Sequence, residues 1–114
     1  MTPDKQQISE TTDGKPPRPG YETDGAPAPI NPATGQHEAY WVLSPAERAK
    51  GFVRPVRQEY VHTVCGGKTG MGLAIAETYA RRPSYYGATM CVHCRGHFPV
   101  GEFIWAGSNQ RVGS

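Results

Sequence analysis

His62-Thr63-Val64-Cys65 and, 25 residues further on, Cys91-Val92-His93-Cys94 are the stretch on which the fold turns. Each half offers two side chains that ligate metals, separated by two residues, and together they use all three cysteines of the chain. Structural zinc takes four nitrogen or sulfur donors in a tetrahedron, and a two-residue gap lets one turn of backbone supply two of them. The pattern H-x2-C-x25-C-x2-C is therefore read as two claws closing on one Zn2+, with His62, Cys65, Cys91 and Cys94 as ligands. His97, three residues beyond Cys94, is the alternative fourth ligand. Gly66 behind Cys65 suits the tight turn of backbone around a bound sulfur. Behind Cys94 the glycine comes one place late, at Gly96.

The rest of the composition explains why a staple is needed. Seven of the 11 prolines lie in the first 39 residues, which hold only two strong aliphatic residues, Ile8 and Ile30. Such a stretch buries too little apolar surface to offset the entropy of ordering it, and 1–39 is expected to be a disordered arm. Pro16-Pro17-Arg18-Pro19 within it has the form of a peptide ligand for a groove. Residues 40–114 then form one small zinc-binding domain, too short to rely on a hydrophobic interior alone. Charge divides at the same place. Asp4, Glu10, Asp13, Glu22, Asp24 and Glu38 against Lys5, Lys15 and Arg18 make the arm acidic, while the remainder is basic. A basic domain permits a nucleic-acid partner without demanding one.

Order is expected to begin at Tyr40-Trp41-Val42-Leu43. Ser44-Pro45-Ala46-Glu47 is a capping box, and Gly51 ends the short helix that it opens. Phe52 to Val64 reads as strand, interrupted at Pro55. Gly70 to Arg82 reads as the main helix, capped by Thr69 and stopped by Pro83, with Met71, Ile75 and Tyr79 as its apolar stripe. Tyr85 to Met90 reads as a strand entering the second claw, and Phe98 to Trp105 as one return strand. The polar end from Ala106 is expected to fray. The fold class is α+β: a zinc-ribbon-like unit with a helix between the claws.

Four sharper readings fail on particular residues. The run His62 to Thr69 ends like a phosphate-binding loop, but its first glycine is replaced by His62. Haem attachment fails because Arg95 follows Cys94. A Cys91/Cys94 redox pair needs a helix opening at Cys91, which Gly96 and Pro99 oppose. A catalytic zinc keeps an open position beside an acid or base, whereas a thiolate-rich set is the closed kind. A non-enzymatic binding module remains. Its phosphate-facing set is Arg54, Arg57, Lys68, Arg81, Arg82 and Arg95, with Tyr85, Tyr86 or Trp105 for base stacking. The alternative is a protein–protein adaptor working through exposed aromatics and the proline-rich arm. No small-molecule substrate is expected.

The strings from Ser44-Pro45-Ala46-Glu47-Arg48-Ala49-Lys50-Gly51 to Phe52-Val53-Arg54-Pro55-Val56-Arg57, then Ala76-Glu77-Thr78-Tyr79-Ala80-Arg81 and Cys91-Val92-His93-Cys94-Arg95-Gly96-His97-Phe98-Pro99-Val100, carry a resemblance. Residues 40–114 resemble small proteins of tailed bacteriophages and prophages, a family without an assigned activity. The resemblance implies a host-cytoplasmic setting. An odd cysteine count behind a polar N-terminus with no export signal agrees with reduced thiols, and no apolar run is long enough for a membrane helix.

Overall fold

The computed structural model describes residues 9–21 and 26–114. Expectations that fall on Pro3, Asp4, Lys5, Glu22 and Asp24 lie outside those residues. The chain divides into two compact units, 1–51 and 52–114.

In the first unit the apolar run forms β2 (Trp41–Leu43), which pairs antiparallel with β1 (Ser9–Thr11) in the register Glu10↔Val42. Trp41, Val42 and Leu43 are all buried. Composition argues for an unfolded arm over 1–39, and it does not anticipate this sheet. A strand needs backbone donors and acceptors, and β2 offers them to a segment with few apolar side chains of its own. Further local bonds tie the described parts of 1–39. The Asp13 carboxylate accepts from Arg18 at 2.6 Å and from the Lys15 N–H at 3.1 Å. The Arg18 N–H donates to the Pro27 carbonyl at 2.8 Å, and Ile30 and His37 form a β-bridge. Arg18 of the Pro-Pro-Arg-Pro segment is thus engaged within its own unit. Helix α1 (Pro45–Arg48) follows β2, with the Glu47 N–H donating to Ser44 Oγ at 3.2 Å as the capping box predicts. Gly51, at φ 110°, takes the left-handed conformation that ends it.

The second unit contains β3 (Glu59–His62), β4 (Lys68–Gly70), α2 (Leu73–Arg81), β5 (Ala88–Cys91), β6 (Gly96–Pro99), a single 3-10 turn at Val100–Glu102 and β7 (Phe103–Trp105). Strands β4, β3 and β7 make one antiparallel sheet in that order, and β5 and β6 make a separate hairpin. The mixed α+β content follows the expectation. Its core joins Tyr60, Tyr79, Cys91, Phe103, Trp105 and Val112, with Met71, Ile75 and Phe98 among the residues packed against it.

Four local expectations differ. Of the strand expected from Phe52 to Val64 only β3 forms, and 52–58, which include Pro55 with no N–H for a ladder, carry no strand. Thr69 does not cap a helix; it lies buried in β4, and α2 begins after Gly72 with no side-chain cap. The predicted return strand over 98–105 is two strands. Pro99 has no N–H to continue a ladder, so the chain turns at Val100–Glu102, and β7 pairs with β3 and not with β5. The C-terminal end folds back: the Val112 N–H donates to the Phe103 carbonyl at 3.0 Å, and Val112 is buried. Gly107 at φ 78° and the Ser108 hydroxyl, which donates to the Trp105 carbonyl, make that reversal. One buried valine contributes about 1.5–3 kcal/mol toward ordering this end, beside its backbone bonds to β7.

Candidate metal centre

The two claws are the loops of two hairpins. In the first, His62 is the last residue of β3, its N–H donates to the Gly67 carbonyl at 3.0 Å, and the Gly66 N–H returns to the His62 carbonyl at 2.7 Å. In the second, Cys91 ends β5 and pairs with Gly96. Each loop therefore runs candidate ligand, two residues, candidate ligand, a left-handed residue, glycine. The left-handed residue is Gly66 at φ 74° in one and Arg95 at φ 55° in the other. Arg95 accordingly takes the place that Gly66 fills in the first loop, at a cost of about 1–2 kcal/mol for a side chain in that conformation.

Backbone N–H groups point at the sulfurs from both loops. Gly67 donates to Cys65 Sγ at 3.4 Å, and Cys94 donates to Cys91 Sγ at 3.4 Å. The hairpins are held face to face by two further contacts. The Tyr60 hydroxyl on β3 donates to the Met90 carbonyl on β5, and the Val92 N–H in the second loop donates to Thr69 Oγ1 on β4 at 3.2 Å. His93, between two of the cluster residues, lies against Gly67, with its Nε2 3.3 Å from the Lys68 carbonyl.

These loops bring His62, Cys65, Cys91 and Cys94 together, with one donor atom from each lying within 4.8 Å of all the others. Cys65 Sγ is 3.6 Å from Cys91 Sγ, and His62 Nδ1 is 3.6 Å from both Cys65 Sγ and Cys94 Sγ. A tetrahedron with Zn–S about 2.3 Å and Zn–N about 2.0–2.1 Å has edges of about 3.8 Å for S···S and about 3.6 Å for S···N. The donor set thus fits a tetrahedral ion in spacing and in chemistry, and it could hold a metal such as zinc. His97 lies on β6 opposite Met90 and is outside the cluster.

The thiols of the cluster are electrostatically unequal. The Gly67 N–H, with the neighbouring thiols and His62, lowers the Cys65 thiol to about 7. Desolvation, with the other two sulfurs beside it, raises Cys94 to about 11. Three sulfurs at one focus repel as thiolates, and a divalent ion removes that conflict. His62 is raised above the usual imidazole range, chiefly by its bond to Glu102.

The environment of His62 escaped the sequence reading. The imidazole is buried and stacks on Phe103 at a centroid distance of 4.5 Å, with Phe98 against it at 4.7 Å. Its Nε2 lies 2.8 Å from Glu102 Oε1. Glu102 is 40 residues away in sequence and carries no motif, so only the pairing of β3 with β7, which sets His62 opposite Phe103, reveals it.

The basic residues proposed for phosphate contact are dispersed in their roles. Arg54, Lys68, Arg82 and Arg95 are exposed, whereas Arg57 and Arg81 are half-buried. Arg54 donates to the Ser114 carbonyl, Lys68 lies 3.6 Å from Glu59, and the Arg57 guanidinium rests 4.7 Å over the Trp105 ring. Burial holds Arg57 below its ordinary range, with the Arg54 charge nearby adding to this. Trp105 is buried in the core between Tyr60 and Tyr79, so it offers no face for a base, a correction to the stacking set. Tyr86 packs on Tyr79 and Tyr85.

Among the described residues no helix is long and apolar enough to cross a membrane. Searches of protein-family models, curated proteins and solved structures find nothing that matches this chain, so the centre is defined by its own geometry alone.

Proposed function

We propose that His62, Cys65, Cys91 and Cys94 hold one structural Zn2+, and that the unit it staples is a non-catalytic, zinc-ribbon-like module that binds nucleic acid in a phage or host context. The observation that carries the metal reading is the set of 3.6 Å separations among four donors from two hairpin loops. A set of three sulfurs and one nitrogen is closed, leaving no position for a reacting water. In the second unit Arg54, Arg57, Lys68, Arg81, Arg82, Arg95 and Arg111 stand against Glu59, Glu77 and Glu102, a balance that favours an anionic partner. Zn2+ with three thiolates and a neutral imidazole leaves the bound site with a net negative charge, so the ion itself does not attract an anionic partner. The nucleic-acid contact is therefore carried by the arginines and Lys68, with Tyr85 as the stacking residue least committed to the core.

The test is retardation of a short single-stranded DNA or RNA by the full, zinc-loaded chain at low salt. If all six proposed side chains met phosphates, the log–log salt slope would reach about −4, at about −0.7 per phosphate. Absence of retardation at low ionic strength ends this reading. A second reading, a protein–protein adaptor, is favoured by exposed apolar residues at Phe52, Val53 and Val56 and at the loop residues Val64 and Val92. It predicts binding that persists as salt rises.

A further inference from the structure

A zinc-bound histidine must present a lone pair to the ion, and an imidazole can do so from either ring nitrogen. Which nitrogen is used follows from the bond that the other one makes. Here the two are sharply distinguished. Nδ1 of His62 faces the sulfurs of Cys65 and Cys94, and Nε2 faces Glu102 Oε1. A carboxylate has no proton to donate, so the Nε2–H donates to it and the ring's remaining lone pair is on Nδ1.

Glu102 is itself held in place. Its carbonyl accepts two bonds from the first claw, one from the Thr63 N–H at 2.9 Å and one from Thr63 Oγ1 at 2.8 Å. The 3-10 turn that carries it is anchored by the Val100 N–H, which donates to the Gly87 carbonyl at 3.1 Å. Thr63 follows His62 directly. The same loop that supplies the imidazole therefore also grips the main chain of the residue whose side chain orients it. Phe98 and Phe103 fix the plane of the ring, and neither selects a nitrogen.

From this geometry we infer that Glu102 is a positioning residue of the metal centre: its carboxylate holds the Nε2–H tautomer of His62 and aims Nδ1 at the ion. The inference rests on the metal reading above and extends it. A carboxylate that accepts from the far ring nitrogen of a ligating histidine is worth roughly 10–100-fold in metal affinity. The Glu102 side chain is 36% exposed, so water weakens its hold and the lower end applies.

The experiment is a competition titration of Zn2+ against a chromophoric chelator, on the full chain and on Glu102→Ala, Glu102→Gln and Glu102→Asp. Long-range 1H–15N correlation of the imidazole ring is recorded for each zinc-loaded protein. Glu102→Ala is expected to weaken zinc about tenfold, and Glu102→Gln by less, since its amide oxygen can still accept from Nε2–H. Glu102→Asp, a methylene shorter, is expected to recover part of the loss. In the wild type the ring shifts should report metal on Nδ1 and a proton on Nε2, with that proton exchanging faster with water in Glu102→Ala. A loss of fold would show as lost dispersion across all zinc-saturated resonances, in which case the wild-type ring shifts alone decide. Metal on Nε2 in the wild type overturns the inference, as does unchanged affinity in a folded Glu102→Ala protein. If the wild type binds no zinc at all, it is the metal reading itself that fails.

Discussion

Cys65 offers a clean way to separate ligation from packing. Its side chain is exposed, unlike Cys91, so Cys65→Ser removes a sulfur without opening a cavity. In metal-free protein the exchange should change stability by no more than about 0.5 kcal/mol, as for other exposed sites. With zinc the outcome differs, because an ion that binds only the folded chain stabilises it by RT ln(1 + [Zn]/Kd). At a free concentration 100-fold above Kd this is about 2.7 kcal/mol, and at 1,000-fold about 4.1 kcal/mol. For a domain of this size each kcal/mol moves the melting temperature by roughly 4–8 °C. Buffered zinc at 100-fold over Kd should therefore raise the wild-type melt of the second unit by about 10–20 °C. In Cys65→Ser most of that rise should vanish, while the melts of the two metal-free proteins coincide. The assay is a thermal melt followed by near-ultraviolet circular dichroism, with Trp105 and Tyr60 in the core as reporters. The reasoning is refuted if zinc raises both proteins equally, or if it leaves the wild type unmoved.

Other expectations follow from single residues. A Cβ at Gly67 would lie 2.2 Å from the His93 ring, and Gly67→Ala should cost about 1 kcal/mol in urea denaturation of the zinc-loaded protein. In a His93→Ala background the same change should cost almost nothing, and an equal cost in both backgrounds would rule the contact out. Arg95→Gly should stabilise, because relief of the left-handed strain, about 1–2 kcal/mol, exceeds the added entropy of glycine, about 0.5–1 kcal/mol. If Arg95 also meets phosphate, the same variant should bind nucleic acid with a shallower salt slope. The Arg18 guanidinium, with the Lys15 N–H, holds the Asp13 carboxyl down to about 2. A lowered carboxyl contributes stability above its unfolded value of 3.8, and that contribution is lost as pH falls through about 2. A carbon-detected titration of Asp13 should find its midpoint near 2; a midpoint near 3.8 would mean that the first unit does not hold this pair.

Much of the centre was legible before any coordinates. Cys65, Cys91 and Cys94 at two-residue spacings, Gly66 behind the first pair, the capping box at Ser44 and the apolar stripe of the main helix are all local patterns. A pattern spanning a few residues is governed by backbone geometry that the same residues carry with them, so it can be read in one dimension. The reading failed where the outcome depended on a distant partner. Trp105 looked available for stacking until β7 was seen to run beside β3 and enclose it. The segment before Tyr40 is poor in apolar side chains, yet β1 needs only the open edge of β2. The C-terminal end looked frayed because the pocket that Val112 fills is made by residues elsewhere in the chain.

The sequence by itself determined that three cysteines and a histidine come in two pairs with two-residue gaps, each pair followed within two residues by a glycine. The sequence favours His62 and leaves His97 as an alternative; the tertiary structure gathers His62, and not His97, with the three sulfurs and sets Glu102, Phe98 and Phe103 around it. The physical reason is strand register. The antiparallel ladder of β3 and β7 sets His62 against Phe103 and brings the preceding Glu102 to its far nitrogen, while the ladder of β5 and β6 spends His97 opposite Met90. Register is a choice among non-local pairings, and no spacing along the chain encodes it.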